Sequence, residues 1–274
     1  MSTLIKNRIV VKVGTSTLTH NGGELNFRSL DRLARTLSDI QNAGCEVILV
    51  TSGAIAVGQN KLRLPERPKE LRLKQAAAAV GQCELMHLYD KFFGEYGKIV
   101  AQILLTGEDV EPEDVRQNLI NTFDALLEQG IIPIVNENDS VSFAEIEAEH
   151  ACHKVFGDND TLSAVVAVLC RARTLVLLSD IDGLYEQDPR ENPTARIIRE
   201  IRVLDDDIRS LAGGAGSSRG TGGMITKLHA AGICMAEGID MIITNGQRPE
   251  DLYGVIAGES VGTLFVGKSK EGNQ

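Results

Sequence analysis

Residues 213–223 read GGAGSSRGTGG and run on into Met224 and Lys227, placing six glycines in eleven positions. Glycine loses more freedom on ordering than any other residue. Such a run therefore marks backbone that bends sharply or lies close to something, unless it is simply a flexible Gly/Ser linker. The residues that follow are helical in pattern, with Ile225, Leu228, Ala231 and Ile233 mostly on one face and Gly238 as a stop. A loop that opens a helix offers unpaired N–H groups and the positive end of a dipole, which suits phosphate. Lys227, one turn inside, adds a formal charge. A second lysine, Lys12, lies in the run NRIVVKV at 7–13. A lysine on a buried strand needs an anionic partner or must give up its charge; the alternative is a lysine snorkelling to an edge. Asp158 and Asp160 flank Asn159 where another helical pattern begins. One carboxylate suffices there as a cap, and the second calls for a cation. A carboxylate between two lysines would hold both in place. Positioned cations and N–H donors are what phosphoryl transfer between anionic oxygens needs.

The elements that must position these groups follow from the apolar pattern. The runs 7–13 and 46–51 (EVILVT) are strands apolar enough to be buried on both faces. Between them Leu30, Leu33, Leu37 and Ile40 mark a helix that Gly44 stops. This is a βαβ unit, so the pairing is parallel with a right-handed crossover. Both strands end in small and hydroxyl residues, GTST at 14–17 and SGAI at 52–55, on the edge where open α/β sheets bind ligands. A long helix is expected from about 69 to 93, and its AAAAVG segment at 76–81 suits close packing on a sheet or a second subunit. Strands follow at 99–105 and 131–135, separated by a helix through Val115, Leu119, Phe123 and Leu127. Pro133 argues for an edge or irregular position of the second. That strand ends in Asn136, Glu137, Asn138, Asp139 and Ser140, either a plain polar loop or part of a ligand site. A helix at about 157–169, a strand at 174–178 ending in SDIDG, a short helix at 203–212 and strands at 239–244 and 262–266 complete the pattern.

Composition narrows the field. The 274 residues, 43% of them hydrophobic, can form one large α/β domain, and no repeat or linker divides them. A net charge of −10 argues against nucleic acid or anionic membranes as partners, so an anionic substrate must be held by local donors. Nothing resembles a signal peptide or a bilayer span. The five scattered cysteines fit a reducing, cytoplasmic setting. Several motifs fail on inspection. GTLFVGKS at 262–269 spells a P-loop, but its middle is a strand by composition and too few residues follow for the helix. Arg219 stands where a Rossmann fingerprint needs its third glycine. His150, Cys152 and His153 lack a matching cluster and read as loop residues rather than metal ligands.

Taken together, the segments at 12–16 (KVGTS), 51–56 (TSGAIA), 136–139 (NEND), 156–160 (FGDND), 179–185 (SDIDGLY) and 220–224 (GTGGM) with Lys227 resemble the amino acid kinase family. The likeness runs from about residue 7 to 266 and is strongest to members that phosphorylate L-glutamate. The resemblance implies a three-layer αβα sandwich around a mainly parallel sheet of about eight strands. It implies one domain over 1–274, with about 1–157 holding L-glutamate and about 158–274 holding ATP, carried with Mg²⁺ on its phosphates. Lys12 and Lys227 would stabilise the phosphoryl group in flight, with Asp160 orienting both. Gly14, Thr15 and Gly53 would offer donors along the phosphate path. Ser52, Gly53, Asp139 and Asn159 would bind glutamate, Asp139 facing its α-ammonium. Ser179, Asp180, Gly220, Thr221, Gly222, Gly223 and Met224 would hold the nucleotide. Feedback inhibition by L-proline and a homo-oligomer, dimer or tetramer, are implied too. Ser179 stands where threonine is commoner, and no room remains for the C-terminal PUA domain of many members. Relatives acting on acetylglutamate, carbamate, aspartate or UMP, or a non-catalytic sensing domain, are the alternatives.

Overall fold

The computed structural model describes residues 7–20, 24–141, 156–211 and 223–268. Eight strands form one sheet: β1 (Arg8–Val13), β2 (Glu46–Val50), β3 (Val100–Leu105), β4 (Ile132–Glu137), β5 (Thr174–Ser179), β6 (Glu200–Ile201), β7 (Asp240–Asn245) and β8 (Thr263–Phe265). Their spatial order is β3-β4-β2-β1-β5-β7-β8-β6. All neighbours are parallel except β7 and β8. The helices are α1 (Thr15–Leu18), α2 (Phe27–Asn42), α3 (Ala54–Lys61), α4 (Leu71–Glu95), α5 (Glu113–Glu128), α6 (Asn159–Leu169), α7 (Asp206–Ser210), α8 (Met224–Ala236) and α9 (Asp251–Ala257).

Strand alternation sorts the core into two layers. Ile9, Val11 and Val13 of β1, with Val176 and Leu178 of β5, pack against Leu33 and Leu37 of α2, Leu85 and Phe93 of α4 and Leu252 of α9. Val10 of β1, with Leu175 and Leu177 of β5, packs against Phe123 of α5, Val166 of α6 and Leu228 of α8. The result is the expected αβα sandwich. Lys12 shares the parity of Val10, so it rises on the face covered by α6 and α8. That parity decides which residues it meets.

Some expectations needed revision. β4 lies inside the sheet between β3 and β2, not at an edge. Ile132 N bonds to Ile99 O on the β3 side, and Val135 O accepts from Thr51 N on the other. By alternation the absent N–H of Pro133 faces β2, whose register with β4 begins only at Ile134. The small-residue segment of α4 packs closely on α3. A Cβ on Gly81 would lie 1.8 Å from the carbonyl oxygen of Ala54, and one on Gly58 1.8 Å from that of Ala77. The middle of the lookalike P-loop is strand β8, entered through Gly262 at φ +59°. No helix among the described residues is long and apolar enough to cross a membrane.

Candidate active site

The order in which the parallel strands are laid down reverses at β1: β2 lies on one side of it and β5 on the other. The crevice at the carboxyl ends of these strands is where doubly wound sheets bind ligands. Gly14 follows β1, Ser52 and Gly53 follow β2, Asn138 and Asp139 follow β4, and Asp180 follows β5. The parallel register thus brings segments far apart in sequence to one edge.

At its centre is Asp160, fully buried in the first turn of α6. Its Oδ1 pairs with Lys12 Nζ at 2.7 Å and its Oδ2 with Lys227 Nζ at 3.0 Å. Burial alone would push this carboxyl up, but the charges and hydrogen bonds of the two lysines outweigh it and hold it at about 2. Both lysines are themselves buried, at 9% and 6% exposure, so snorkelling does not describe Lys12. The neighbouring acid has the other job. Asp158 Oδ1 accepts from the N–H groups of Asp160 and Thr161 at 2.8 and 2.9 Å, capping α6. Of two aspartates two residues apart, one closes the helix and the other organises the cations.

The turns after β1 and β2 lie side by side. Ser52 Oγ donates to the carbonyl of Val13 at 3.1 Å and stands 3.3 Å from Thr15 Oγ1. Gly53 caps α3 at φ +94°, a left-handed conformation in which a side chain would also crowd Thr15 at 3.2 Å. A Cβ on Gly14 would lie 3.8 Å from Lys12 Nζ, so the backbone there runs close to the ammonium. Gly223 caps α8, and Met224 is its first residue. Ser179 Oγ donates to Asp180 Oδ1 at 3.1 Å at the end of β5. Gly220, Thr221 and Gly222 lie outside the described residues, as do His150, Cys152 and His153.

Asp139 stands apart from the lysine pair, in the wall of a cavity of about 390 Å³ shared with Ala54, Ala78, Gln82, Gln102 and Glu137. Burial pushes its carboxyl above the usual range, opposed by the charge of Arg67. Asn159 is turned inward, its Nδ2 donating to the carbonyl of Thr51 at 2.6 Å and to Asn136 Oδ1 at 3.0 Å. Sequence reasoning missed Thr226, whose hydroxyl lies 2.9 Å from Asp160 Oδ2 and 2.8 Å from the Gly223 carbonyl. Having one hydrogen, it donates to one of them at a time. It also missed Gln82 and Gln102. The available sign was Gln82 itself, a polar residue about three turns into α4 on the face that carries its buried alanines.

The arrangement can neutralise and orient a phosphate-like anion: two fixed cations, the adjacent turns that lead into α1 and α3, and the N-terminus of α8 meet at one edge. Comparison with known proteins agrees. The model of the Amino acid kinase family matches residues 7–245. A glutamate 5-kinase of Clostridium perfringens is 55% identical over 264 residues, covering 96% of this chain and 97% of that protein. One from Listeria innocua is 52% identical over 264 residues, covering 96% and 94%. Among solved structures, the carbamate kinase from Giardia lamblia bound to AMP-PNP superposes with a TM-score of 0.66 at 17% identity, covering 96% of this chain and 99% of that one, a likeness of fold. With the family model matched over most of its length and relatives above half identical across nearly all of it, the chain belongs to the amino acid kinase family and is a kinase.

Proposed function

We propose that the chain transfers the γ-phosphoryl group of ATP to the γ-carboxylate of L-glutamate, giving L-glutamyl 5-phosphate and ADP, the first step of proline synthesis. The observation that carries phosphoryl transfer is the buried Lys12–Asp160–Lys227 group at the carboxyl edge of the sheet. Glutamate as the acceptor rests on the relatives.

In this reading a γ-carboxylate oxygen attacks phosphorus while the bond to the ADP oxygen breaks. The attacking group is already ionised at neutral pH, so no side chain has to take a proton. Lys12 and Lys227 then act on the transferring oxygens. Because Asp160 fixes both ammonium groups before substrate arrives, little reorganisation is needed as charge develops. Gly14 and Gly53 keep side chains out of the phosphate path, with Thr15 and Ser52 beside them. Asp139 takes the α-ammonium, and Ser52 and Asn159 complete the acceptor site. Ser179, Asp180, Gly223 and Met224, with Gly220, Thr221 and Gly222, hold the nucleotide. Mg²⁺ enters on the phosphates of ATP, where it neutralises charge. The part up to about residue 157 is the acceptor half and the remainder the nucleotide half. Inhibition by L-proline, a dimeric or tetrameric assembly and a cytoplasmic setting belong to the same reading through the family likeness.

The test is ADP release from ATP and Mg²⁺ with L-glutamate, acetylglutamate, aspartate, carbamate or UMP, with hydroxylamine present to trap an acyl phosphate. Glutamate-dependent turnover that yields a hydroxamate is expected, with loss of rate on adding L-proline. Turnover with another acceptor alone would discard the glutamate assignment and keep the phosphate site.

A further inference from the structure

A relay of side-chain amides runs from the transfer site to the cavity wall. Asn159 Nδ2 donates to the Thr51 carbonyl and to Asn136 Oδ1. Asn136 Nδ2 donates to Gln82 Oε1 at 2.9 Å, and Gln82 Nε2 donates to Gln102 Oε1 at 3.2 Å. A primary amide can be turned either way about its last bond, so each link taken alone is ambiguous. The Thr51 carbonyl removes the ambiguity. It can only accept, so Asn159 must face it with NH₂ and give its second hydrogen to the oxygen of Asn136. The sense then propagates through Asn136 and Gln82 to Gln102. Asn136 and Gln82 are 1% and 8% exposed, so reversing either amide would set like groups against each other without water to relieve them.

The two ends of the relay are therefore unlike. Asn159 has only its carbonyl oxygen left, an acceptor. Gln102 turns its oxygen to Gln82 and keeps both hydrogens of its NH₂ for another partner, and it lines the same cavity as Asp139. We propose that Gln82 is a positioning residue and Gln102 a specificity-determining residue for the acceptor: the relay aims the NH₂ of Gln102 at an α-carboxylate while Asp139 takes the α-ammonium. The cavity so defined takes an α-amino acid as its zwitterion. Glu137 and Asp139 on the same wall make such a donor necessary, since a carboxylate entering there otherwise meets like charge. The proposal rests on the reading of the chain as a glutamate kinase and adds the group that reads the α-carboxylate.

The test uses initial rates of the full chain with ATP and Mg²⁺ across L-glutamate concentrations, with 4-aminobutyrate, which lacks the α-carboxylate, as competitor. Gln102→Met should raise the glutamate KM about tenfold, the loss of one hydrogen bond to a charged group, with kcat within about twofold. Inhibition by 4-aminobutyrate should not move. Gln82→Met should raise KM and also lower kcat, because Asn136 and Asn159 lose their anchor. Gln82→Glu keeps an acceptor for Asn136 and should restore kcat but not KM. An unchanged KM in Gln102→Met, or equal weakening of 4-aminobutyrate, overturns the proposal while leaving the function standing. A wild type inert towards glutamate overturns both. Should Gln82→Met fail to fold, Gln102→Met, at an exposed position, decides alone.

Discussion

Replacing Asp160 by Asn tests the centre of the site directly. The change is nearly isosteric, so it removes charge without opening a cavity, and it takes away the carboxylate that the two buried ammonium groups share. Removing one member of a buried ion pair typically costs about 3–5 kcal/mol. Part of that loss can be worked out from the carboxyl itself. Held at about 2 in the folded chain against an ordinary 3.8, it contributes on the order of 2–3 kcal/mol at neutral pH. Because the folded value is depressed, this contribution is fully present above about pH 4 and is lost as pH falls towards 2. At pH 3 about half should remain. The assay is urea unfolding followed by far-ultraviolet circular dichroism, at pH 7 and pH 3, for wild type and Asp160→Asn. The variant should be less stable by about 3–5 kcal/mol at pH 7, and the gap should narrow by roughly 1 kcal/mol at pH 3. A loss below about 1 kcal/mol at pH 7, or a gap that does not narrow, would refute the argument that the two lysines hold this carboxylate ionised.

Three further outcomes follow from the geometry. Lys227→Ala should lower kcat by about 10²–10³ with glutamate KM within a few-fold, because its charge acts on the transferring group; steady-state kinetics with a normal kcat would remove it from catalysis. Asp139→Ala should raise the glutamate KM with little change in kcat. In the wild type that KM should climb as pH falls through the raised range of the Asp139 carboxyl, since only its ionised form attracts the ammonium; a KM flat with pH would put the ammonium elsewhere. Gly81→Ala should destabilise by about 3 kcal/mol, because its methyl would meet the Ala54 carbonyl at 1.8 Å, and a melting temperature within a degree of wild type would contradict the α3–α4 packing.

The sequence alone determined what depends on near neighbours in the chain. The valine-rich runs gave the central strands because burial on both faces demands unbroken apolar residues, and apolar residues at helical spacing gave α2 and α5. It also marked Lys12 as a lysine that, if its strand is buried, needs an anion, and one acid of the 158–160 pair as surplus to capping. Short elements escaped it. α1, α3 and α9 are four to eight residues long and β6 is two, too brief for a period to show. β7 and β8 pair antiparallel through a register that their composition does not encode. The residues by themselves did not separate Asp160 from Asp158, and only the family resemblance pointed to Asp160; the tertiary structure supplies the reason, through strand parity and the seating of α6 and α8 on the face bearing Lys12. Only it revealed the amide relay, whose Asn136–Gln82 link joins residues 54 apart. A single Gln in a helix carries no mark of its partner. The partner is fixed when the sheet order brings β4 beneath α4, and the direction of every amide is then set by one backbone carbonyl at the end of β2.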